Sequence, residues 1–575
     1  MALQEYIVTL HNREDLDAFY DDMETPGGDL YIPDRSIGLQ LRRSISRNTH
    51  YMLYDEEVAD LREDERVRGV VLASDIAALT QQDNGWSGAG DYERSDAIAT
   101  NDLQWGIYRH IVRDNPLSGE WGFDGTTTAA ADFTVTSSGK NVDVLVFDGH
   151  CEKDHPELAV NPDGTGGSRV NQFNWFSLTN QLGFGTNGTY DYSHRVGDES
   201  GSNHGTSVGS VMAGNRLGWA RDANIFNLRS PTGLAPNYDA DGGNRLTHAN
   251  SWDYIREWHA TKAVNAETGR RNPLVVNCSF GPRASKADYG GSGLGIEAMS
   301  YRNSGIPNFN PGRVLTDNEL TARGVGVYAT TGNWYVQMNI DESETDSEYV
   351  AFQSDVEDAQ ADGIIVVCAT GNEFMLMVKP ENVDHDNIAF IGQSGSLVGG
   401  IYSNRPGPSA NGQVVPETIS VGNMSFEKND RKRLDSNSGD RIDIFAAGTG
   451  VQAAVRTGGP ATDPRNGSFQ INLTYGTSFS APNVAGVIAL LLESNPNMTQ
   501  TEVKQWLIDN ASTDKMFDSG TVDMSDYLSI HGSPNKILYW KNQRPEAGTT
   551  FPKVNAKTRP TSGRTYPRPR IRAKG

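Results

Sequence analysis

The run Ala485-Gly-Val-Ile-Ala-Leu-Leu-Leu492 has no polar side. A helix that is apolar all round must lie inside a large core, so this stretch commits the chain to a fold big enough to surround it. The segment leading into it, Tyr475-Gly-Thr-Ser-Phe-Ser-Ala-Pro-Asn-Val-Ala-Gly486, puts Ser478 at the mouth of that helix. Pro482 is expected in the first turn, where its missing N–H costs nothing. A hydroxyl at a helix start lies beside unpaired backbone N–H groups and the positive dipole end, which stabilise negative charge on a nearby carbonyl oxygen. Ser is also a preferred N-cap, so this segment alone leaves capping and nucleophilic catalysis both open.

Two further segments bear on that choice. Asn141-Val-Asp-Val-Leu-Val-Phe-Asp-Gly-His150 contains a β-branched run, Val142 to Phe147, that reads as a fully buried strand ending in Asp148. A carboxylate at the end of a buried parallel strand faces the crevice where α/β proteins bind ligands. Asn203-His-Gly-Thr-Ser-Val-Gly-Ser-Val-Met-Ala-Gly214 places His204 at the head of a short helix. Val208, Val211 and Met212 mark its buried face and Gly214 its C-cap. Alone, each of these residues has a structural reading. In the order Asp, His, Ser they form a constellation that chance rarely supplies.

At this point the chain resembles the subtilisin-like serine proteases, the subtilases. Phe147 to Leu158 (FDGHCEKDHPEL) resembles the family's aspartate block, NHGTSVGSVMAG its histidine block, and GTSFSAPNVAG its serine block. Val275-Val-Asn-Cys-Ser-Phe-Gly281 resembles the strand that walls the substrate cleft, and Gly363-Ile-Ile-Val-Val-Cys-Ala-Thr-Gly-Asn-Glu373 the strand and turn carrying the oxyanion asparagine. The resemblance covers most of residues 102–541. It implies a triad of Asp148, His204 and Ser478, with Asn372 and the Ser478 N–H as oxyanion donors. It also implies Ser279, Phe280 and Gly281 as the substrate-binding edge. The chemistry agrees: a Ser hydroxyl needs a base within reach, and His is the side chain whose ordinary pKa suits that role. Tyr328-Ala-Thr-Thr-Gly-Asn333 offers a competing Thr-Gly-Asn, but Asn372 follows the more apolar strand and precedes Glu373 as in the family.

At 575 residues the chain has room for two or three domains. Residues 1–75 form the first. YIVTL reads as a strand, and Leu16, Phe19, Tyr20 and Met23 make a helix face. HYMLYD follows as a second strand, Asp55 as the N-cap of EEVADLREDER, and VRGVVLAS as a third strand. This β-α-β-α-β order suits a small ferredoxin-like α+β domain. By resemblance it is a propeptide that assists folding and then inhibits the cleft; an independent interaction module is the other reading. Residues 76–101 read as a linker holding a processing site, and 102–541 as the catalytic domain. That domain is expected to be a doubly wound, mainly parallel α/β sheet, with surface insertions near 159–202, 284–350 and 374–416 that narrow the cleft or bind a partner.

The remaining features are exclusions. No run approaches the ~20 apolar residues of a membrane span. The start, MALQEYIVTLHNRED, lacks the pattern of a signal peptide, which points to a cytoplasmic or virion-associated protein over a classically secreted one. Cys151, Cys278 and Cys368 are odd in number and lack metal-ligand spacing, so they read as reduced and structural, with Cys151 nearest the cleft. No cofactor is required for the chemistry. Structural calcium is common among subtilases, but Glu157 stands where the family's metal-linked Asp would be, and no ligand is assigned. The formal charge is −23, yet from Lys536 onward eleven Lys or Arg face one acid, Glu546. The Pro/Arg-rich tail 542–575 therefore reads as disordered, a solvated segment or one docking on acidic partners. The expected function is a self-processing serine endopeptidase acting on extended peptides. The alternative is an assembly or virion protein that keeps the fold and uses its insertions and tail for binding.

Overall fold

The computed structural model describes residues 3–28, 30–32, 39–41, 45–72, 104–115, 135, 137–178, 182, 190, 192, 204–229, 248–281, 284–285, 294–302, 304, 313–328, 333–336, 347–393, 396–407, 411–425, 430–459, 461–526 and 528–541. The expected linker 76–101 and tail 542–575 lie outside them, as does much of the expected insertions 159–202 and 284–350.

The N-terminal unit is β1 (Gln4–Leu10), α1 (Leu16–Glu24), β2 (Leu39–Leu41), β3 (Asn48–Leu53), α2 (Asp55–Arg62) and β4 (Val67–Leu72). Its strands form an antiparallel sheet of order β2-β3-β1-β4. Phe19, Tyr20 and Met23 of α1, with Val58 and Leu61 of α2, bury against Val8, Tyr51 and Val70. The spacing i, i+3, i+4, i+7 along α1 is what brings that face onto the sheet. One detail differs from expectation: Tyr54, not Asp55, is the N-cap of α2, its N–H donating to Glu57 Oε2 at 2.8 Å. Asp55 is already helical, and its carboxylate accepts from the Tyr6 hydroxyl at 2.7 Å.

The large domain continues with α3 (Trp105–Tyr108), β5 (Asp143–Asp148), β6 (Val170–Asn171), α4 (His204–Ala213), β7 (Asn224–Arg229), α5 (His248–Thr261) and β8 (Leu274–Cys278). After β9 (Ala284–Ser285), β10 (Leu294–Ser300), α6 (Asp317–Thr321), β11 (Gly326–Tyr328) and β12 (Asn333–Val336) come α7 (Ser347–Ala361) and β13 (Ile364–Ala369). Then follow β14 (Ile388–Gln393), β15 (Ser396–Tyr402), β16 (Ile419–Met424), β17 (Ile444–Ala447), β18 (Thr449–Val455), β19 (Ala461–Thr462) and β20 (Gln470–Tyr475). The domain closes with α8 (Thr477–Ser494), α9 (Gln500–Asn510), β21 (Ser512–Thr513) and β22 (Lys536–Ile537).

Among the described residues nine strands form one sheet of order β21-β22-β17-β16-β13-β8-β5-β7-β6, parallel throughout except at β21–β22. From β5 the chain first builds one edge and then, from β8 onward, the other. The crevice at this change of direction is where open α/β sheets bind ligands. Strands β5, β8 and β13 are buried at every position, as their continuous apolar runs require. Helix α8 is buried from Thr477 to Leu492, and α4 is buried on all sides rather than on one face. Each Leu, Ile or Val so enclosed contributes about 1.5–3 kcal/mol. Among the described residues no helix is long and apolar enough to cross a membrane.

The insertions do not stay separate. β10, from the segment near 284–350, pairs with β14 from the segment near 374–416, and β14 with β15. Ile296, Val327 and Trp334 share one core with Ala389, Ile391 and Ile401. The two therefore build a single subdomain. The described part of 159–202 is only partly a surface loop: residues 160–168 are largely exposed, but β6 joins the main sheet, and Trp175 packs edge-on against Trp258 of α5 at 5.6 Å.

The N-terminal unit seats on α7. Ser46 Oγ donates to Asp355 at 2.7 Å, Arg47 pairs with Glu357 and Asp358 at 3.1 Å each, and Arg68 reaches Glu357 at 3.2 Å. Asn48 Nδ2 donates to the Ala351 carbonyl at 2.9 Å, and Ile7 and Val71 bury against Ala351.

Candidate active site

Asp148 ends β5 and His204 begins α4. His204 Nδ1 donates to Asp148 Oδ1 at 2.6 Å, and the Gly149 N–H donates to the same oxygen at 2.7 Å. Both side chains are buried. This fixes the imidazole tautomer, with Nδ1 carrying the proton and Nε2 left as the basic nitrogen. The close approach depends on Gly205: a Cβ there would lie 2.5 Å from the Gly149 carbonyl oxygen and 2.7 Å from that of His150. The loop after Asp148 is pinned by Asn227 of β7, whose amide donates to the carbonyls of Val146 (3.0 Å) and Gly149 (3.1 Å) and accepts from the Cys151 N–H at 3.2 Å.

Ser478 is the second residue of α8. The N-cap is Gly476, at φ 130°, a conformation that favours glycine, so Ser478 does not cap the helix. Its hydroxyl donates instead to the Ser279 carbonyl at 3.2 Å. The expected placement of Pro482 in the first turn is corrected: it is the sixth helical residue. There it removes the N–H that would bond the Ser478 carbonyl. That carbonyl accepts from Ser279 Oγ at 2.8 Å, and Ser279 Oγ in turn accepts from Asn277 Nδ2 at 2.8 Å. The proline thus frees an acceptor that ties the start of α8 to the end of β8. The ring of Phe479, next to the serine, lies 5.5 Å from the His204 imidazole, so the three elements meet at one place.

Asn372 follows β13 in the turn Thr370-Gly-Asn-Glu373, with Gly371 at φ 103° and Phe374 at φ 59°. Its Oδ1 accepts from the Thr477 N–H at 2.8 Å and the Thr477 hydroxyl at 3.2 Å. A backbone N–H needs an acceptor, so the amide oxygen must face Thr477 and the NH2 group is directed the other way. That orientation suits a donor acting beside the Ser478 N–H. Asn333 begins β12, in a separate small sheet with β11 and β9 and not in the turn that follows β13.

The three expected substrate-binding residues directly follow β8. The Phe280 ring packs edge-on against Phe147 at 5.0 Å, and its carbonyl accepts from Asn411 Nδ2 at 2.6 Å. Phe280 is thus taken up by the interior. Behind the same wall Gln413 Nε2 donates to the Thr370 carbonyl at 3.1 Å. Asn227, Asn411, Gln413 and Asn437, which also contacts the Asn372 turn, were not singled out from the sequence, because a buried amide bonding distant backbone leaves no periodic signal.

Cys151, Cys278 and Cys368 are buried and unbridged. Burial pushes the Cys368 thiol up to about 11 and raises the other two well above the ordinary range as well. Glu157 is fully buried and does not offer its oxygens to calcium. It pairs with Arg465 and, at 3.2 Å, with Arg216, and accepts from the N–H groups of Arg216 (2.9 Å) and Leu217 (3.0 Å). Arg465 also pairs with the buried Asp463 at 2.6 Å. Guanidinium groups occupy the place a cation would need. Among the described residues no group of three or more His, Cys, Asp or Glu side chains is arranged to hold a metal.

The subtilase family model matches residues 139–528. Alkaline serine exoprotease A of Vibrio alginolyticus is 30% identical over 190 residues, covering 33% of this chain and 26% of that protein. Subtilisin amylosacchariticus of Bacillus subtilis subsp. amylosacchariticus is 26% identical over 251 residues, covering 42% of this chain and 55% of its own length. The chain thus spans between about a quarter and about half of these curated relatives. Among solved structures, the epidermin leader peptide processing serine protease of Staphylococcus aureus is 13% identical with a TM-score of 0.44, covering 93% of this chain and 97% of that one.

Proposed function

The chain belongs to the subtilase family, and from that premise we propose that it is a serine endopeptidase using Asp148, His204 and Ser478. The observation that carries this reading is the 2.6 Å Asp148–His204 pair at the mouth of the helix bearing Ser478. His204 Nε2 takes the proton as Ser478 Oγ leaves the Ser279 carbonyl and attacks the peptide carbonyl carbon. Asn372 Nδ2 and the Ser478 N–H hold the resulting oxyanion. His204 then gives its proton to the leaving amine, and water, activated by the same nitrogen, releases the acyl group. Asp148 holds the tautomer and stabilises the imidazolium.

The substrate lies as an added strand along the segment after β8. Because Phe280 faces inward, the Ser279 carbonyl and Gly281 carry the main-chain contacts, as the two-residue period of an extended strand allows. Main-chain recognition favours broad specificity. The N-terminal unit acts as an intramolecular propeptide, a reading supported by its own core and its seat on α7. It needs no metal or cofactor for the reaction.

N-terminal sequencing and peptide hydrolysis test this together. The wild-type chain should release an N-terminal fragment by a cut within about residues 70–105, and a hydroxyl-directed phosphonate should label Ser478. Ser478→Ala should stay at the full 62.6 kDa, and Asp148→Asn should process about 10⁴-fold more slowly. A folded wild-type protein that is neither cut nor labelled and hydrolyses no peptide would refute the enzyme reading.

A further inference from the structure

Asn437 lies in the loop after β16, far from the triad in sequence, and is buried against the turn that holds Asn372. Its side chain spans that turn. Nδ2 donates to the Thr370 carbonyl at 2.7 Å and to Glu373 Oε2 at 2.9 Å. Oδ1 accepts from the N–H groups of Glu373 at 3.0 Å and Met375 at 2.9 Å. Two donors and two acceptor sites are all that a carboxamide has, and each is used on this turn, with one further contact from Nδ2 to Met377 Sδ at 3.5 Å. The Asn437 N–H adds a bond to the Gly371 carbonyl at 3.0 Å.

These bonds grip the backbone on both sides of Asn372. The oxygen of its amide is fixed on Thr477. Where the turn places the Asn372 Cα therefore sets where the Nδ2 donor stands relative to that anchor. The turn carries left-handed φ angles at Gly371 and Phe374, so it needs outside support to keep its shape.

We infer that Asn437 is a positioning residue for the oxyanion: it holds the 370–375 turn so that Asn372 Nδ2 stands at the developing charge. The inference rests on reading Asn372 as the oxyanion donor. An amide displaced by about 1 Å costs on the order of 10²-fold in rate, and removing such a donor costs about 10²–10³. A group acting only through Asn372 can cost no more than Asn372 itself.

The test is a double-mutant cycle on the full chain, with active sites counted by end-point phosphonate labelling of Ser478. Asn372→Ala should lower kcat by about 10²–10³. Asn437→Ala should lower it by about 10–100-fold with KM within about twofold. The double variant should be no slower than Asn372→Ala within about threefold, because the lost interaction is shared. Asn437→Ser, which keeps one hydroxyl for the turn, should fall between wild type and Asn437→Ala, and it carries the cycle if Asn437→Ala does not fold. A multiplicative loss in the double variant, a loss confined to KM, or a fall in kcat of less than about threefold would overturn the inference while leaving the role of Asn372 intact. An Asn372→Ala protein with near wild-type kcat would overturn the oxyanion reading and the inference with it.

Discussion

Replacing Arg465 by Met keeps the side chain's length and removes its charge. Burial alone would push the Glu157 carboxyl up, but Arg465, Arg216 and the N–H groups of Arg216 and Leu217 outweigh it and hold the group at about 2, against 4.5 for an ordinary glutamate. A difference of that size amounts to roughly 3 kcal/mol of folding stability at neutral pH. Because the folded pKa is the lower one, this stability is fully present above about pH 4.5 and is lost as the pH falls toward about 2. In the variant, Glu157 and Asp463, both without exposed side-chain surface, lose the guanidinium that joins them, and Glu157 keeps the part-exposed Arg216 at 3.2 Å with Arg169 and Arg221 acting on it without a side-chain ion pair. Breaking a buried pair costs about 3–5 kcal/mol. Equilibrium urea unfolding at pH 7, on a Ser478→Ala background to prevent self-digestion, should show a loss of that size. The acid-unfolding midpoint should move to higher pH. Added EDTA should leave the gap between parent and variant unchanged, since no metal shares this carboxylate. A variant within about 1 kcal/mol of the parent, or a gap that closes on chelation, would refute the claim that guanidinium groups neutralise Glu157.

Gly205→Ala puts a Cβ 2.5 Å from the Gly149 carbonyl oxygen, so α4 must back away from β5. Peptide hydrolysis should fall by about 10²-fold or more while circular dichroism stays near wild type; a fully active variant would show that the 2.6 Å pair does not need this glycine. Thiol reagents should leave hydrolysis unchanged under native conditions, because all three cysteines are buried with raised pKa values; stoichiometric inactivation would contradict their structural role. Arg47→Glu with Arg68→Glu reverses the charge facing Glu357 and Asp358. Limited proteolysis should then remove the N-terminal unit faster, most clearly at low salt, and unchanged kinetics would mean that the apolar contacts around Ala351 dominate.

The parts of this molecule that were legible in its sequence are those whose signal is local. Val142 to Phe147 and Ile364 to Ala369 are continuous apolar runs, and a run buried on both faces reads as a parallel-sheet strand whatever its neighbours are. The Asp148, His204 and Ser478 segments combine such runs with glycines at close approaches. What escaped was set by distant partners. Nothing in Leu294–Ser300 announces that it pairs with Ile388–Gln393, so the sequence presents as two insertions what the fold joins into one subdomain. Pro482 was assigned to the first turn because the apolar run starts at Ala485, although the helix begins at Thr477; a proline inside a helix looks no different in sequence when its lost bond is replaced by a serine about 200 positions away. The cap of α2 moved one residue because a Glu at the third position can hold the N–H of any residue, Tyr54 included. Arg465 and Glu157 lie on different segments, and neither carries a sign of its partner.

The strand β10 leaves the ribosome well before β14 does, and between them come α7, which packs in the core beside the main sheet, and β13, a strand of that sheet. Until β14 arrives, β10 has no partner on that side, and Ile296, Val327 and Trp334 lack the apolar surface that later covers them. The nascent chain must therefore carry an unfinished hydrophobic half-module while β13 is already being made. The same interlock acts on an evolutionary timescale: neither half could be gained, lost or grafted onto another scaffold by a single event without stranding the other. The pair should be inherited as a unit, present together or missing together in descendants of this chain's ancestor.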